Sequence, residues 1–259
     1  MTRKYRSLPQ QIYKSVRSAA KKALSRIGDF LVRQSPLPAQ PVIDSSHFPW
    51  ATMIEEHFPV IRRELDRVME FRNSLPLLHD LQREQYRISA DDKRKVFILS
   101  GWGHVSAAGE RMCPETTRLV RHIPGLRSAV FSILDAGAHI PDHRGHIKGL
   151  LRGQLALRVP REGDKCFIRV DDRICHWEEG KVFVFDDTYR HEVHNDTDEE
   201  RVVLLLHFDR PMNRLGQVTN ALLMAVIRRT PFVTKAARNL KQWEDQFRRQ
   251  LAAAGGQVF

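Results

Sequence analysis

The chain has only three cysteines, Cys113, Cys166 and Cys175, and they are widely spaced. That excludes a disulfide framework and a cysteine-rich zinc site, and it fits a reducing compartment. No run of about 18 apolar residues occurs, so no segment reads as membrane-spanning by itself. The N-terminus lacks the continuous apolar core of a secretory signal. Internal repeats and low-complexity tracts are absent too, which excludes solenoids and arrays. A cytoplasmic protein is the simplest expectation. Acids are scarce at one place in particular: among residues 1–34, Asp29 stands alone against nine Lys and Arg.

What is present is a chain of 259 residues, 42% hydrophobic, enough for one large domain with a substantial core. The net charge is +11, and residues 1–34 carry +8 of it. The rest of the chain is nearly balanced. Apolar residues in the basic segment recur at Leu8, Ile12, Val16, Ala20, Ala23, Ile27 and Leu31, one face of a helix. Ser7 is placed to cap it and Pro9 to sit in its first turn. Three readings fit a basic amphipathic helix: peripheral attachment to an anionic membrane, docking on its own domain, or a transit peptide. No base-stacking module or nucleic-acid motif accompanies it, so nucleic acid is not an expected partner.

Residues 35–42 read as a Pro-rich linker. Ile54, Phe58, Ile61, Leu65 and Met69 predict a helix over 50–73. Residues 97–100 predict a short strand and 115–122 a helix that stops before Pro124-Gly125. From Ser128 the period becomes that of strands, at 128–134, 138–143, 150–158, 166–170, 182–185, 191–195 and 201–208, with turn residues between many of them. Such spacing predicts a closed or double-sheet β architecture. Helical patterns return after Arg210-Pro211 and over 233–251. The expected organisation is an N-terminal helix (1–34), a linker (35–42), a mixed helical support region (43–127), a β core (128–211) and C-terminal helices (212–259).

Chemistry concentrates in the β region. His143 opens His143-Arg144-Gly145-His146 at a strand end. His191 follows Asp186-Asp187 into another strand. His146, His176, His194 and His207 have no such context and each reads as an ordinary surface or core histidine. Alternation puts Arg152, Gln154 and Ala156 on one face of strand 150–158, and Arg201, Val203, Leu205 and His207 on one face of strand 201–208. Both faces of the latter are apolar, so it should be central and buried. An Arg at its start needs an anionic ligand, solvent, or an ion pair with Asp196, Asp198, Glu199 or Glu200. Two imidazoles with a strand-borne Arg suit a non-heme iron whose co-substrate is a dicarboxylate. Asp186 and Asp187 could orient a metal-bound imidazole. They could equally form a turn through Asx hydrogen bonds.

In order and spacing, a series of segments resembles the aspartyl/asparaginyl β-hydroxylase family, including its bacterial lipid A and ornithine-lipid hydroxylase relatives. These are Gly101-Trp102-Gly103, Cys113-Pro114-Glu115-Thr116, Ile123-Pro124-Gly125-Leu126, Phe131-Ser132-Ile133-Leu134, the His143 segment, Phe185-Asp186-Asp187, His191-Glu192-Val193 and Asp209-Arg210-Pro211. The resemblance implies a mainly β fold with flanking helices around a double-stranded β-helix, a jelly-roll or cupin-like core. It implies Fe(II) as cofactor, with 2-oxoglutarate and O2 as co-substrates. His143 and His191 become the iron ligands, and Ser132, Arg152, Gln154 and Arg201 the contacts to 2-oxoglutarate. The family commonly has His where this chain has Gln154, which keeps a donor but cannot become cationic. The usual facial triad has a carboxylate two residues after its first His. Gly145 stands there, so two protein ligands are expected. The implied reaction is hydroxylation of an unactivated carbon. A membrane-lipid acyl chain fits the basic segment best. A peptide or protein Asp or Asn is the alternative substrate, and a non-catalytic cupin-like binding module the alternative of another class.

Overall fold

The computed structural model describes residues 10–82, 86, 92–101 and 103–253. Helix α1 spans Gln10–Arg33; the proposed cap Ser7 and Pro9 lie outside the described residues. A loop follows, and its end forms β1 (Val42–Ile43). The helical pattern at 50–73 resolves into two helices, α2 (Pro49–Glu56) and α3 (Phe58–Met69). Pro59 has no N–H to continue α2, and the helix restarts with Pro59 in its first turn. Then come α4 (Leu78–Leu81), β2 (Arg94–Gly101), β3 (His104–Val105), α5 (Ala107–Met112) and α6 (Pro114–Val120). Eight further strands form the core: β4 (Leu126–Leu134), β5 (Ala138–His143), β6 (Leu150–Arg158), β7 (Cys166–Val170), β8 (Arg173–His176), β9 (Val182–Phe185), β10 (His191–Asn195) and β11 (Arg201–Asp209). Helices α7 (Arg214–Arg228) and α8 (Pro231–Ala253) close the described chain.

The strands make two antiparallel sheets, ordered β1-β9-β6-β11-β4-β2-β3 and β5-β10-β7-β8. From β4 onward the chain passes back and forth between them. This is the double-stranded β-helix, with jelly-roll sheets face to face and helices outside. Segment 43–127 supplies three strands of the larger sheet as well as helices. Strand β8 is not announced by the sequence, because its residues are largely exposed and carry little apolar alternation.

Alternation on the central strands decides what faces what. On β11, Val202, Leu204, Leu206 and Phe208 join a core under the helices, while Val203 and Leu205 join a second core between the sheets. On β6, Leu151, Leu155 and Leu157 go to the helical side and Ala156 to the inter-sheet side. The inter-sheet face is where Arg152, Gln154 and Arg201 emerge, so the polar residues of these two strands converge between the sheets.

The described end of α1 is docked. Leu31 is fully buried, and Asp29 pairs with Lys148 at 2.7 Å. Gln34 bonds Asn213 at the start of α7. Docking on the domain thus holds for the C-terminal turns of α1. The side chains of Ile12, Val16 and Ala20 lie outside what is described.

Candidate active site

Between the sheets lies a narrow cleft, partly continuous with solvent. Its walls include Ser132, His143, Arg152, Gln154, His191 and Arg201, so the structure brings together all six residues singled out for iron and co-substrate. Arg94, Ile140, Phe185, Val203 and Leu205 are among the others.

The two imidazoles come from adjacent antiparallel strands. His143 and His191 are register partners of β5 and β10, next to a bulge on β10. Directly paired residues place their side chains within reach of each other. The ring centroids are 4.1 Å apart. His143 Nδ1 lies 2.8 Å from the Pro141 carbonyl and His191 Nδ1 3.0 Å from the Tyr189 carbonyl. A carbonyl only accepts, so in both rings Nδ1 carries the proton and Nε2 keeps its lone pair. His191 is buried, and its Nε2 has no hydrogen-bond partner. Burial, then repulsion from His191, pushes His143 down to about 3. Burial, then repulsion from Arg152, takes His191 to about 4. Both rings are therefore neutral at physiological pH, the form that ligates a metal. An unpaired, buried imidazole nitrogen beside a second neutral ring fits a divalent transition metal such as Fe(II).

Asp186 and Asp187 have partners other than these rings. Asp186 accepts from Thr188 N at 2.9 Å and Thr188 Oγ1 at 2.6 Å, and it forms a buried ion pair with Arg210. It is the Asx turn of the alternative reading, tied to the chain beyond β11. Asp187 pairs with Arg152 Nε at 2.8 Å. Backbone carbonyls orient the rings, and residue types alone do not reveal carbonyls.

Arg201 is the most informative cation. Its residue exposure is 3%, and its guanidinium stacks on Trp177, 4.6 Å from the ring centroid. Three of the four carboxylates that could have paired with it have other partners. Glu200 binds Arg72 and Arg158, Glu199 meets Arg161, and Asp196 meets His194. Among the described residues no carboxylate forms an ion pair with Arg201, and its Nε has no hydrogen-bond partner. Burial lowers its pKa to about 10, so it stays cationic at neutral pH. A buried cation without a carboxylate is costly unless a ligand supplies the anion.

Gln154 is held from behind. Trp177 Nε1 donates to Gln154 Oε1 at 2.7 Å. Indole N–H is donor only, so the amide oxygen must face Trp177 and the NH2 group is left for other partners. Ser132, Gln154 and Arg201 are all buried. Two contributors escape the sequence pattern. Arg94 lines the cleft from the start of β2, yet in sequence it sits inside Lys93-Arg94-Lys95, a run that reads as solvated charge. Trp177 lies in a loop after β8, and only the fold brings it to Gln154 and Arg201.

A second group of possible ligands, His139, Glu192 and His194, offers three atoms within 4.8 Å of one another. Strand alternation puts Glu192 and His194 on the opposite face of the small sheet from His191 and Val193. Arg169 already holds Glu192 at 2.8 Å. His139 is nearly half exposed, and none of the three lines the cleft.

Residues 55–211 match the family model described as aspartyl/asparaginyl beta-hydroxylase. An ornithine lipid ester-linked acyl 2-hydroxylase of Rhizobium tropici is 42% identical over 216 residues, 83% of this chain and 77% of that protein. The aspartyl/asparaginyl beta-hydroxylase of Homo sapiens is 32% identical over 163 residues, 61% of this chain but only 21% of that longer protein. Among solved structures, the Schizosaccharomyces pombe Cnp3 cupin domain matches at 14% identity, over 50% of this chain and 72% of that one, with a TM-score of 0.33.

Proposed function

Since this chain belongs to the aspartyl/asparaginyl β-hydroxylase family, we propose that it is an Fe(II)- and 2-oxoglutarate-dependent dioxygenase that hydroxylates an acyl chain of a membrane lipid. The observation that carries the reading is the unpaired buried cation Arg201 in the same cleft as two neutral imidazoles, one with an orphaned Nε2. One feature calls for an anion and the other for a metal. 2-Oxoglutarate, which chelates through its keto acid and carries a second carboxylate, answers both.

His143 and His191 would hold Fe(II), which when bound supplies oxygen activation beyond the reach of side chains alone. Arg201 would bind the distal carboxylate of 2-oxoglutarate through its planar fork. Trp177 lies against that guanidinium, and by donating to Gln154 Oε1 it turns the amide NH2 group away from itself. Ser132 adds a hydroxyl on the neighbouring strand. Arg152 is braced by Asp187, so its cation is positioned without free rotation. The apolar Ile140, Val203 and Leu205 limit water around the reacting centre.

The 42% identity to a lipid acyl hydroxylase over most of this chain favours a lipid over a peptide substrate. The test is anaerobic loading with Fe(II), addition of 2-oxoglutarate and O2, and measurement of succinate, combined with mass spectrometry of lipids from cells with and without the protein. Succinate formation and a lipid gaining one oxygen are expected. Succinate without a modified lipid, but with a hydroxylated Asp or Asn peptide, would move the reading to the peptide substrate. No succinate at all would leave a non-catalytic cupin-like module.

A further inference from the structure

Helix α7 carries four large apolar side chains in the open. Leu215, Val218, Leu222 and Val226 are 60%, 60%, 66% and 65% exposed. Their spacing confines them to an arc of about 80° at 3.6 residues per turn. The opposite side of the helix, Gly216, Asn220 and Met224, is buried. A single exposed leucine is ordinary, whereas a continuous stripe along a whole helix marks an interaction surface.

Charge identifies the partner. Helix α7 contains no acid, begins at Arg214 and ends at Arg228-Arg229, all three exposed. The helix packed beside it, α1, adds the exposed cations Lys21, Lys22, Arg26 and Arg33. The described acid of α1, Asp29, is bound to Lys148. An apolar stripe with cations and no uncompensated acid is the pattern of a helix that lies in an anionic lipid interface.

The same helix touches the segment that follows His143. Asn220 Nδ2 meets the Gly149 carbonyl at 3.3 Å. A side chain at Gly149 would run into Asn220 and Leu31, and one at Gly28 into Lys148. Residues 144–149 thus run from the first imidazole to a seat under α1 and α7, with Arg144 and His146 exposed between.

We propose that the exposed face of α7 docks the protein on an anionic bilayer. The loop after His143 lies behind that helix, against its buried side. The inference deepens the membrane-lipid reading above and rests on it for its purpose, but not for its measurement.

The full-length protein is tested by flotation with phosphatidylcholine vesicles containing phosphatidylglycerol, at low and high salt. The variant pair Leu222→Ser with Val226→Ser removes the stripe without adding charge. We expect at least a tenfold loss of vesicle affinity, an unchanged melting temperature, and unchanged oxygen-dependent turnover of 2-oxoglutarate in the absence of lipid. Leu222→Trp should bind as well as the wild type and blue-shift its fluorescence on vesicles. Equal binding by the double-Ser variant, or no wild-type binding at low salt, overturns the proposal. A wild-type dimer that the double-Ser variant converts to monomer, with vesicle binding unaltered, assigns the stripe to a second copy instead and also overturns it. Turnover of 2-oxoglutarate is measured separately, so failure of the iron-enzyme reading is told apart from failure of the docking surface.

Discussion

The carboxylate of Asp187 occupies the space where a side chain at Gly145 would begin. Gly145 is the position from which a facial triad would draw its carboxylate ligand. The backbone locks the pair as well, because Gly145 N donates to the Asp187 carbonyl at 2.7 Å. Asp187 in turn holds Arg152. The space freed by the missing ligand is thus filled by a carboxylate committed to a cation of the cleft.

Gly145→Asp should therefore not build a three-ligand site. The new Cβ must displace Asp187 and release Arg152. Overpacking of this kind costs about 1–3 kcal/mol. The expected result is a lower melting temperature and a raised KM for 2-oxoglutarate, with Gly145→Ala showing both more weakly. A variant that binds Fe(II) more tightly at unchanged stability would overturn this account.

His143→Ala and His191→Ala are each expected to abolish iron-dependent succinate production, since no third protein ligand compensates. Each change also deletes an Nδ1–carbonyl bond and a ring from the cleft wall, so circular dichroism should be unchanged while the melting temperature falls modestly. His146→Ala, on the exposed loop, and His194→Ala, on the outer face of the small sheet, should retain most activity. Loss on His194→Ala equal to that of His143→Ala would shift attention to the His139–Glu192–His194 group.

Arg201 separates function from stability. Arg201→Lys keeps the charge and loses the fork, so the KM for 2-oxoglutarate should rise by roughly tenfold, equivalent to about 1.4 kcal/mol. Arg201→Met removes a desolvated cation that no described carboxylate neutralises. Its melting temperature without ligand should equal or exceed that of the parent, while thermal stabilisation by 2-oxoglutarate disappears. A destabilised Arg201→Met would mean that the guanidinium supports the fold through Trp177 more than it serves a ligand.

The sequence made the core strands and the large-sheet wall of the cleft legible, because alternation on 150–158 and 201–208 sorts residues between a helical side and an inter-sheet side. It did not make β8 legible, where exposed side chains blur the period, nor the break at Pro59 inside an otherwise continuous apolar spacing. The histidine pair and Arg201 were readable from context and from the oddity of a cation on a buried strand. The carbonyls that orient the rings, the brace between Asp187 and Arg152, and the recruitment of Arg94 and Trp177 depend on contacts between distant segments. Neighbouring residues carry no trace of them.

Trp177→Phe tests that recruitment. It keeps an aromatic face for Arg201 and deletes the donor to Gln154. One buried hydrogen bond is worth about 1 kcal/mol, and an orphaned amide oxygen adds a desolvation cost. Gln154 should then be free to rotate, and the KM for 2-oxoglutarate should rise several-fold with a small loss of melting temperature. Adding Gln154→Leu should cost little more, because the two changes share one interaction. Fully additive effects would show that Trp177 and Gln154 act independently.

The N-terminal helix divides into two parts with different consequences. Leu31 is fully buried and Asp29 is paired with Lys148, so deletion of residues 1–34 removes a piece of the folded domain. Loss of a buried Leu side chain alone costs about 2–5 kcal/mol. That deletion should lower the melting temperature and, through the seat of residues 144–149, disturb the His143 loop. Deletion of residues 1–17 spares these contacts and removes five cations, Arg3, Lys4, Arg6, Lys14 and Arg17. Each contributes about 1 kcal/mol near an anionic surface, less as salt screens it. The shorter deletion should keep the melting temperature and 2-oxoglutarate turnover, and lose vesicle affinity most at low salt, where screening is weakest. Residual binding should still depend on Leu222 and Val226. If the 1–17 deletion floats with anionic vesicles as well as the full chain does, those cations play no part in membrane attachment.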